Sequence, residues 1–101
     1  MWIVSKDKKS IVNSDYVETF FIGADGNTIK ANFANSNKGC QIAQYSAISE
    51  TETALEMLAK AISEKTSIAM PTTKEIQGKM AENEARWHHA TGKKTKGHGG
   101  S

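Results

Sequence analysis

The hydrophobic period of the chain changes near its midpoint, and this change limits the folds that it can adopt. Up to Tyr45, short runs rich in β-branched and aromatic residues are separated by turn residues, and in one of them Ile29, Ala31 and Phe33 alternate with polar residues at the period of two that is typical of strands with one buried face. Beyond Ser49, apolar residues recur at Leu55, Leu58 and Ile62, the spacing of one helical face. The sequence therefore predicts an α+β fold, an antiparallel β-meander of four to five strands followed by two helices and a basic, glycine-rich tail.

Turn residues divide the first half into strands. Ser5–Lys9 is a polar turn, and Gly23–Asn27 predicts a tight hairpin because Gly and Asn tolerate the positive φ of short connections. Ser67–Met70 is also predicted to be extended, since the residue ahead of Pro71 avoids the helical region. The predicted strands of the meander are 2–4, 10–12, 16–22, 28–33 and 40–45.

Two capping boxes predict where the helices begin. Ser49 with Glu52, and Thr72 with Glu75, have the spacing at which a hydroxyl and a carboxylate each bind the other residue's backbone amide. The predicted helices run over about 50–64 and 73–90.

The second predicted helix has a thin apolar face. Ile76, Met80 and Trp87 lie four and then seven residues apart, and few other apolar side chains accompany them. Because one small subunit covers such a face poorly, we expect the protein to form a homo-oligomer, at least a dimer.

Charge is distributed unevenly along the chain. The last 17 residues contain four basic and no acidic residues, whereas the first 84 contain nine basic against eleven acidic ones. The formal net charge of +2 is typical neither of a histone-like nor of a strongly acidic protein. The C-terminal end is therefore predicted to attract anions.

Length and cysteine content restrict the class of protein. The 101 residues suffice for one domain, which we assign to 1–92 with a tail over 93–101. The single cysteine, Cys40, forms no disulfide within the chain and fits a reducing compartment. The sequence shows neither a signal peptide nor an apolar run of about 18 residues, so we expect a cytoplasmic protein with no membrane partner.

The C-terminal segment combines groups that bind phosphates with groups that stack on bases. It contains the only arginine, all three histidines and one of the two tryptophans. Arg86 offers a planar fork to phosphate oxygens, lysines add point charges, and Trp87 can stack on a base. The alternative is a solvated Lys/Gly-rich tail. The candidate ligand-binding residues are Asn83, Arg86, Trp87, His89, Thr91, Lys93, Lys94, Lys96 and His98.

Other chemistries lack their motifs. Gly92 and Gly97 have the spacing of a phosphate-binding loop, but His and Gly stand where that motif requires Lys and Ser or Thr. Adjacent His88 and His89 point to different sides of a helix, and Cys40 is distant, so no zinc site is predicted. We interpret Cys40 as a small buried hydrophobic residue. We therefore predict no catalytic residues, no metal and no cofactor.

The aromatic residues of the first half have two interpretations. We expect Tyr16, Phe20, Phe21 and Phe33 to serve the core and subunit contacts. The alternative is a base-stacking platform for RNA, although the RNA-recognition consensus is absent.

The layout of the chain resembles small proteins encoded by Firmicutes phages and prophages. The resemblance rests on the opening Met1-Trp2-Ile3-x-Ser5, the short β-meander and the capped helix. The order of elements, with an arginine-bearing last helix and a glycine-containing end, is similar to the viral anti-Thoeris sponges of the first type. Those proteins bind cyclic ADP-ribose signals without cleaving them and form dimers and larger oligomers, and some capture cyclic oligonucleotides. The resemblance implies ligand binding at Arg86 and its neighbours.

Two functions from different classes follow. The first is a non-enzymatic phage anti-defence protein that sequesters a cyclic nucleotide or another phosphorylated small molecule. The second is a viral inhibitor that covers a host defence protein with a sheet or helix surface, with the basic tail steering association. A small phage protein that binds nucleic acid is a further alternative.

Overall fold

The computed structural model describes residues 1–34, 36 and 39–84. These residues form six strands in two three-stranded sheets and two helices, which confirms the predicted α+β class. The strands are β1 (Trp2–Val4), β2 (Ile11–Asn13), β3 (Val17–Ile22), β4 (Thr28–Phe33), β5 (Gly39–Gln44) and β6 (Ile68–Ala69). Helix α1 spans Ile48–Ser63, and helix α2 begins at Thr73 and is helical through Glu84, the last described residue.

The strands divide into two sheets instead of one continuous meander. The strands β3, β4 and β5 form an antiparallel meander, whereas β1 pairs antiparallel with β2 and parallel with β6. A 3-10 turn over Ser14–Tyr16 separates the sheets, because the Asn13 side chain accepts the Asp15 N–H at 3.0 Å and redirects the chain after β2. The segment Ser67–Met70, which was predicted only to be extended, thus contains β6 and supplies a third strand beside the N-terminal hairpin.

The core lies between the two sheets and the helices. The alternation predicted for β4 is confirmed, since Ile29 and Ala31 are fully buried. On α1, however, the buried side is centred on Ala54 and Leu58, and Ile62 of the predicted face is 37% exposed. Both sheets and both helices contribute to the core. Its residues that are at most 4% exposed include Ile3, Val12, Ile29, Ala31, Ile42, Ala54, Leu58 and Ile76.

Helix α1 does not begin with the predicted capping box. It starts at Ile48, one position before Ser49, and its N-cap residue Ala47 makes no side-chain cap. Instead, the buried carboxylate of Glu50 accepts the Ser46 hydroxyl at 3.0 Å and the Ser46 N–H at 3.3 Å. These bonds lower the pKa of Glu50. This interaction also fixes how the chain enters α1, but the partner of the carboxylate is a residue that precedes the helix.

Helix α2 begins as predicted. The Thr72 N–H donates to the Glu75 carboxylate at 3.0 Å, and the Glu75 N–H donates to the Thr72 hydroxyl at 3.2 Å. Ile76 is fully buried and Met80 is half-buried against the core, so the expectation that one subunit covers Ile76 poorly is wrong. Trp87, the third residue of the predicted face, lies outside the described residues.

A polar joint connects the two sheets to the start of α2. The buried Tyr45 hydroxyl donates to the Pro71 carbonyl at 2.7 Å. The Lys6 ammonium lies 4.3 Å from the centre of the Tyr45 ring and donates to the Gln44 carbonyl at 2.6 Å and to the Thr73 hydroxyl at 3.0 Å. Burial is the main cause that raises the pKa of Tyr45, and the negative charges of Glu75 and Glu50 raise it further. The phenol therefore stays protonated and donates its hydrogen bond.

Replacing Tyr45 by Phe tests this joint. We expect Tyr45→Phe to lower the free energy of unfolding by about 1–2 kcal/mol, because the Pro71 carbonyl loses its buried donor while the ring is retained. Urea denaturation at neutral pH measures the change. Tyr16→Phe is the matched control, since Tyr16 is 68% exposed, and equal effects of the two substitutions would contradict the prediction.

The capping box of α2 predicts an acid dependence of stability. The pKa of Glu75 is lowered, mainly by the Thr72 N–H, and its charged form therefore stabilises the folded state above the unfolded pKa. Unfolding free energy should fall between about pH 6 and pH 3, across the ordinary glutamate value of about 4.3. Glu75→Gln should reduce this loss in pH-dependent urea titrations, and an identical loss in both proteins would show that Glu75 does not contribute.

Candidate functional site

The structure locates one of the nine residues predicted to bind a ligand. Asn83 lies on α2 with an exposed side chain. The other eight predicted ligand-binding residues, Arg86, Trp87, His89, Thr91, Lys93, Lys94, Lys96 and His98, lie outside the described residues. The described part of the predicted site therefore consists of Asn83, and the surface around it shows which other residues lie close.

Asn83 lines a groove between α1 and α2, which we call the interhelical groove. Its two parts have volumes of about 160 and 280 Å³ and share Met57, Lys60 and Lys79 as lining residues. Lys79 and Asn83 stand four residues apart on α2, so both project from the same side of the helix. Met57 and Lys60 have the corresponding three-residue spacing on α1. Both helices thus line the same depression, and each contributes a lysine to it.

The lining of the interhelical groove is chemically mixed. Lys60 and Lys79 supply two ammonium groups, and Glu56 and Glu64 supply two carboxylates. The larger part also has apolar walls from Met57, Ala61 and the β6 residue Ile68. The complete set that lines the two parts is Thr53, Glu56, Met57, Lys60, Ala61, Glu64, Thr66, Ser67, Ile68, Lys79 and Asn83.

The ammonium group of Lys79 is only loosely held. It forms an ion pair with Glu82 at 4.0 Å, between side chains that are 35% and 51% exposed. Exposed pairs of this kind contribute little to stability, so a ligand anion can replace the carboxylate at small cost. The groove can accordingly hold a planar apolar group on its walls, an anion at the lysines and hydroxyl or amino donors at the carboxylates.

Two other depressions fit a phosphorylated ligand less well. A depression of about 310 Å³ includes Lys6, but that ammonium is already used by the polar joint. Another depression, of about 720 Å³, has Asp15 and Glu18 in its lining, against Lys65 and the N-terminal ammonium of Met1. That ammonium already pairs with Asp15 at 3.5 Å, which leaves Lys65 beside Glu18 to face an anion, so size alone does not identify the site.

Two of the four aromatic residues singled out in the first half pack against the core, as expected. Phe20 and Phe33 are half-buried and pack against the core, and Phe21 is also half-buried. Tyr16 departs from the expectation, because it is 68% exposed in the turn between the two sheets.

Cys40 lies on β5 and is half-buried instead of fully buried. It pairs with the buried Ala31 and packs against the core, and its thiol lies 3.9 Å from the Gln41 carbonyl. Its place near the beginning of the strand leaves one side of the residue accessible. Cys40 therefore contributes to packing, and it does not line the interhelical groove.

Sequence reasoning missed Lys60 and Lys79. Each is one lysine among several on an amphipathic helix, with no motif to distinguish it. Their common feature is that both helices bring them to one groove, which depends on how α1 and α2 pack.

Comparison of the chain with protein-family models, curated protein sequences and solved structures finds no match. Within the described residues, no helix is long and apolar enough to cross a membrane. The same part of the chain has no group of three or more His, Cys, Asp or Glu side chains placed to hold a metal ion.

The position of Cys40 leads to a prediction about its role. We expect Cys40→Ala to lower the melting temperature modestly, because it removes a half-buried group that packs on the core. Ligand affinity should be unchanged, since the thiol lies outside the groove. Thermal unfolding and calorimetric titration measure the two effects, and loss of binding by a folded Cys40→Ala protein would contradict a packing role.

Proposed function

We propose that this protein binds and sequesters a cyclic nucleotide signal, of the cyclic ADP-ribose or cyclic oligonucleotide type, without altering it. In this proposal it is a phage anti-defence protein of the host bacterial cytoplasm. The observation that supports it best is the interhelical groove, where the predicted ligand residue Asn83 lies beside Lys60 and Lys79.

The chemistry of the groove matches the parts of a nucleotide. Phosphate oxygens would bind the ammonium groups of Lys60 and Lys79, as charge-assisted hydrogen bonds favour. Ribose hydroxyls and base amino groups are donors that the carboxylates of Glu56 and Glu64 can accept. A base would lie against the apolar walls, where burial of its faces adds affinity.

The basic C-terminal segment would complete the site. Arg86 follows Asn83 by three residues in the sequence, and the last 17 residues, with a net charge of +4, would offset the carboxylates of the groove in the proposed complex. Sequestration requires that the protein bind the signal tightly and be present in sufficient amount. The contacts proposed here are binding contacts, and sequestration needs no other kind. The resemblance in layout to the anti-Thoeris sponges favours the same class of ligand.

Calorimetric titration with cyclic ADP-ribose and with a cyclic dinucleotide tests the proposal. Lys60→Ala and Lys79→Ala should each weaken binding about tenfold, because a charge-assisted contact is lost. Arg86→Ala should cost on the order of 1–3 kcal/mol of binding free energy, and Arg86→Lys should restore only part of it, since a point charge cannot replace the planar fork.

Lys74→Ala is the matched control, because Lys74 is an exposed lysine of α2 that does not line the groove. Equal, salt-sensitive losses in Lys60→Ala, Lys79→Ala and Lys74→Ala would indicate only general attraction to anions and would contradict the groove. If neither cyclic compound binds the wild-type protein, the proposed ligand class is wrong.

A further inference from the structure

The larger part of the interhelical groove is walled mainly by α1 and by the segment that follows it up to β6. Of the described α2 residues, Lys79 borders it. Met57 and Ile68 in its walls are half-buried, and Ala61 is 7% exposed. This part has a volume of about 280 Å³. Its size and apolar walls suit one aromatic ring that enters from the side of α2.

The two helices advance in the same direction. Near the start of α1, Glu50 accepts a hydrogen bond from the Gln77 side chain of α2 at 3.4 Å. Six residues further along α2, Asn83 lines the groove beside Glu56 and Lys60. Both of these residues lie further along α1 than Glu50. Each further turn of α2 therefore passes closer to the C-terminal end of α1, where the larger part of the groove lies.

Trp87 belongs to an apolar row of α2 whose first two members pack on the core. Ile76 is fully buried, and Met80 is half-buried against the core. Trp87 lies outside the described residues, but the sequence predicts a helix up to about residue 90. Trp87 follows Ile76 by eleven positions and Met80 by seven, which return to nearly the same side of a helix. A continued α2 would carry Trp87 about 6 Å beyond Asn83, on the side that faces α1 and β6.

From this register we propose that Trp87 of the same chain occupies the larger part of the groove when no ligand is bound. The described chain ends at Glu84, directly after the groove residue Asn83, so Trp87 is tethered within three residues of that point. A tether this short gives the indole a high effective concentration at the groove. An aromatic side chain from a second copy or from another protein lacks that advantage.

Charge contributes little to this contact. The larger part of the groove contains Lys60 and Lys79 as well as Glu64, and Arg86 directly precedes Trp87. The indole N–H is a donor that Glu64 can accept. Burial of the ring against apolar walls supplies the main favourable contribution, so the contact should depend little on salt.

This occupancy would regulate the ligand site, an inference that rests on the proposed function. In that function the base of the nucleotide lies against the same apolar walls, so Trp87 has to leave them before the base can bind. The displaced segment stays tethered beside the groove, where Arg86 would bind the phosphate. Trp87 and Arg86 would therefore have opposite effects on affinity, although they are neighbours in the sequence.

Fluorescence of the Trp2→Phe protein tests the occupancy, since Trp87 is then the only tryptophan. Without ligand, we expect emission at shorter wavelength and weaker quenching by acrylamide than in the urea-unfolded chain. Met57→Gln in this background should shift the emission to longer wavelength and increase quenching, because it makes one wall of the groove polar. Leu55→Gln is the matched control, since Leu55 is also half-buried on α1 against the core but does not line the groove.

Two results of the fluorescence experiment would overturn the proposal. One is a Trp87 that is quenched as strongly in the folded protein as in the unfolded chain. The other is an equal change in Met57→Gln and Leu55→Gln, which would show that Trp87 does not contact the groove. Circular dichroism and thermal unfolding establish that each variant is folded.

Calorimetric titration with cyclic ADP-ribose and with a cyclic dinucleotide tests the regulation. Trp87→Ala should bind severalfold more tightly than the wild type, because no side chain has to leave the groove first. Equal or weaker binding by Trp87→Ala overturns the regulatory role, and weaker binding would show that Trp87 holds the base. If neither compound binds either protein, the proposed function is wrong, whereas the fluorescence of Trp87 still decides whether it occupies the groove.

Discussion

The hydrogen bond from the Tyr45 hydroxyl to the Pro71 carbonyl fixes the position from which α2 starts. Tyr45 directly follows β5, and Pro71 lies between β6 and α2, so the bond connects the second sheet to the segment that leaves the first. Lys6 strengthens the same joint, because its ammonium binds Gln44 and Thr73 while it covers the Tyr45 ring. The direction of α2, and with it the width of the interhelical groove, depends on the buried Tyr45 hydrogen bond and on the Lys6 contacts beside it.

Much of the fold could be predicted because its signals are local. Gly23–Asn27 makes the expected hairpin between β3 and β4, and the Thr72 and Glu75 capping box starts α2 where the sequence places it. The pairing of β6 with β1 could not be predicted, since it joins residues about 65 positions apart and a two-residue strand has no period to detect. The Ser49 and Glu52 pattern failed because Ser46 supplied Glu50 with a partner before the helix began.

The sequence predicted a site for phosphorylated ligands, but of the residues that line the groove it named only Asn83. Asn83 was identified because it stands beside the single arginine and the basic C-terminal segment, where composition departs from the rest of the chain. Lys60 and Lys79 carry no such signal, since a lysine on a solvent-facing helix side is the ordinary case. Only the packing of α1 against α2, with Ile76 and Leu58 in one core, brings the two ammonium groups to a common groove.

The shortest strand connects the N-terminal hairpin to the interhelical groove. Ile68 and Ala69 are the two residues of β6, and alternation sends Ile68 into the wall of the interhelical groove and Ala69 to the opposite face of the first sheet. A strand of two residues has little stability of its own, so its position depends on pairing with β1 and on the Met70 N–H bond to the Val4 carbonyl at 2.8 Å. The N-terminal hairpin therefore holds one wall of the groove, and a change that loosens β1 should disturb the groove as well.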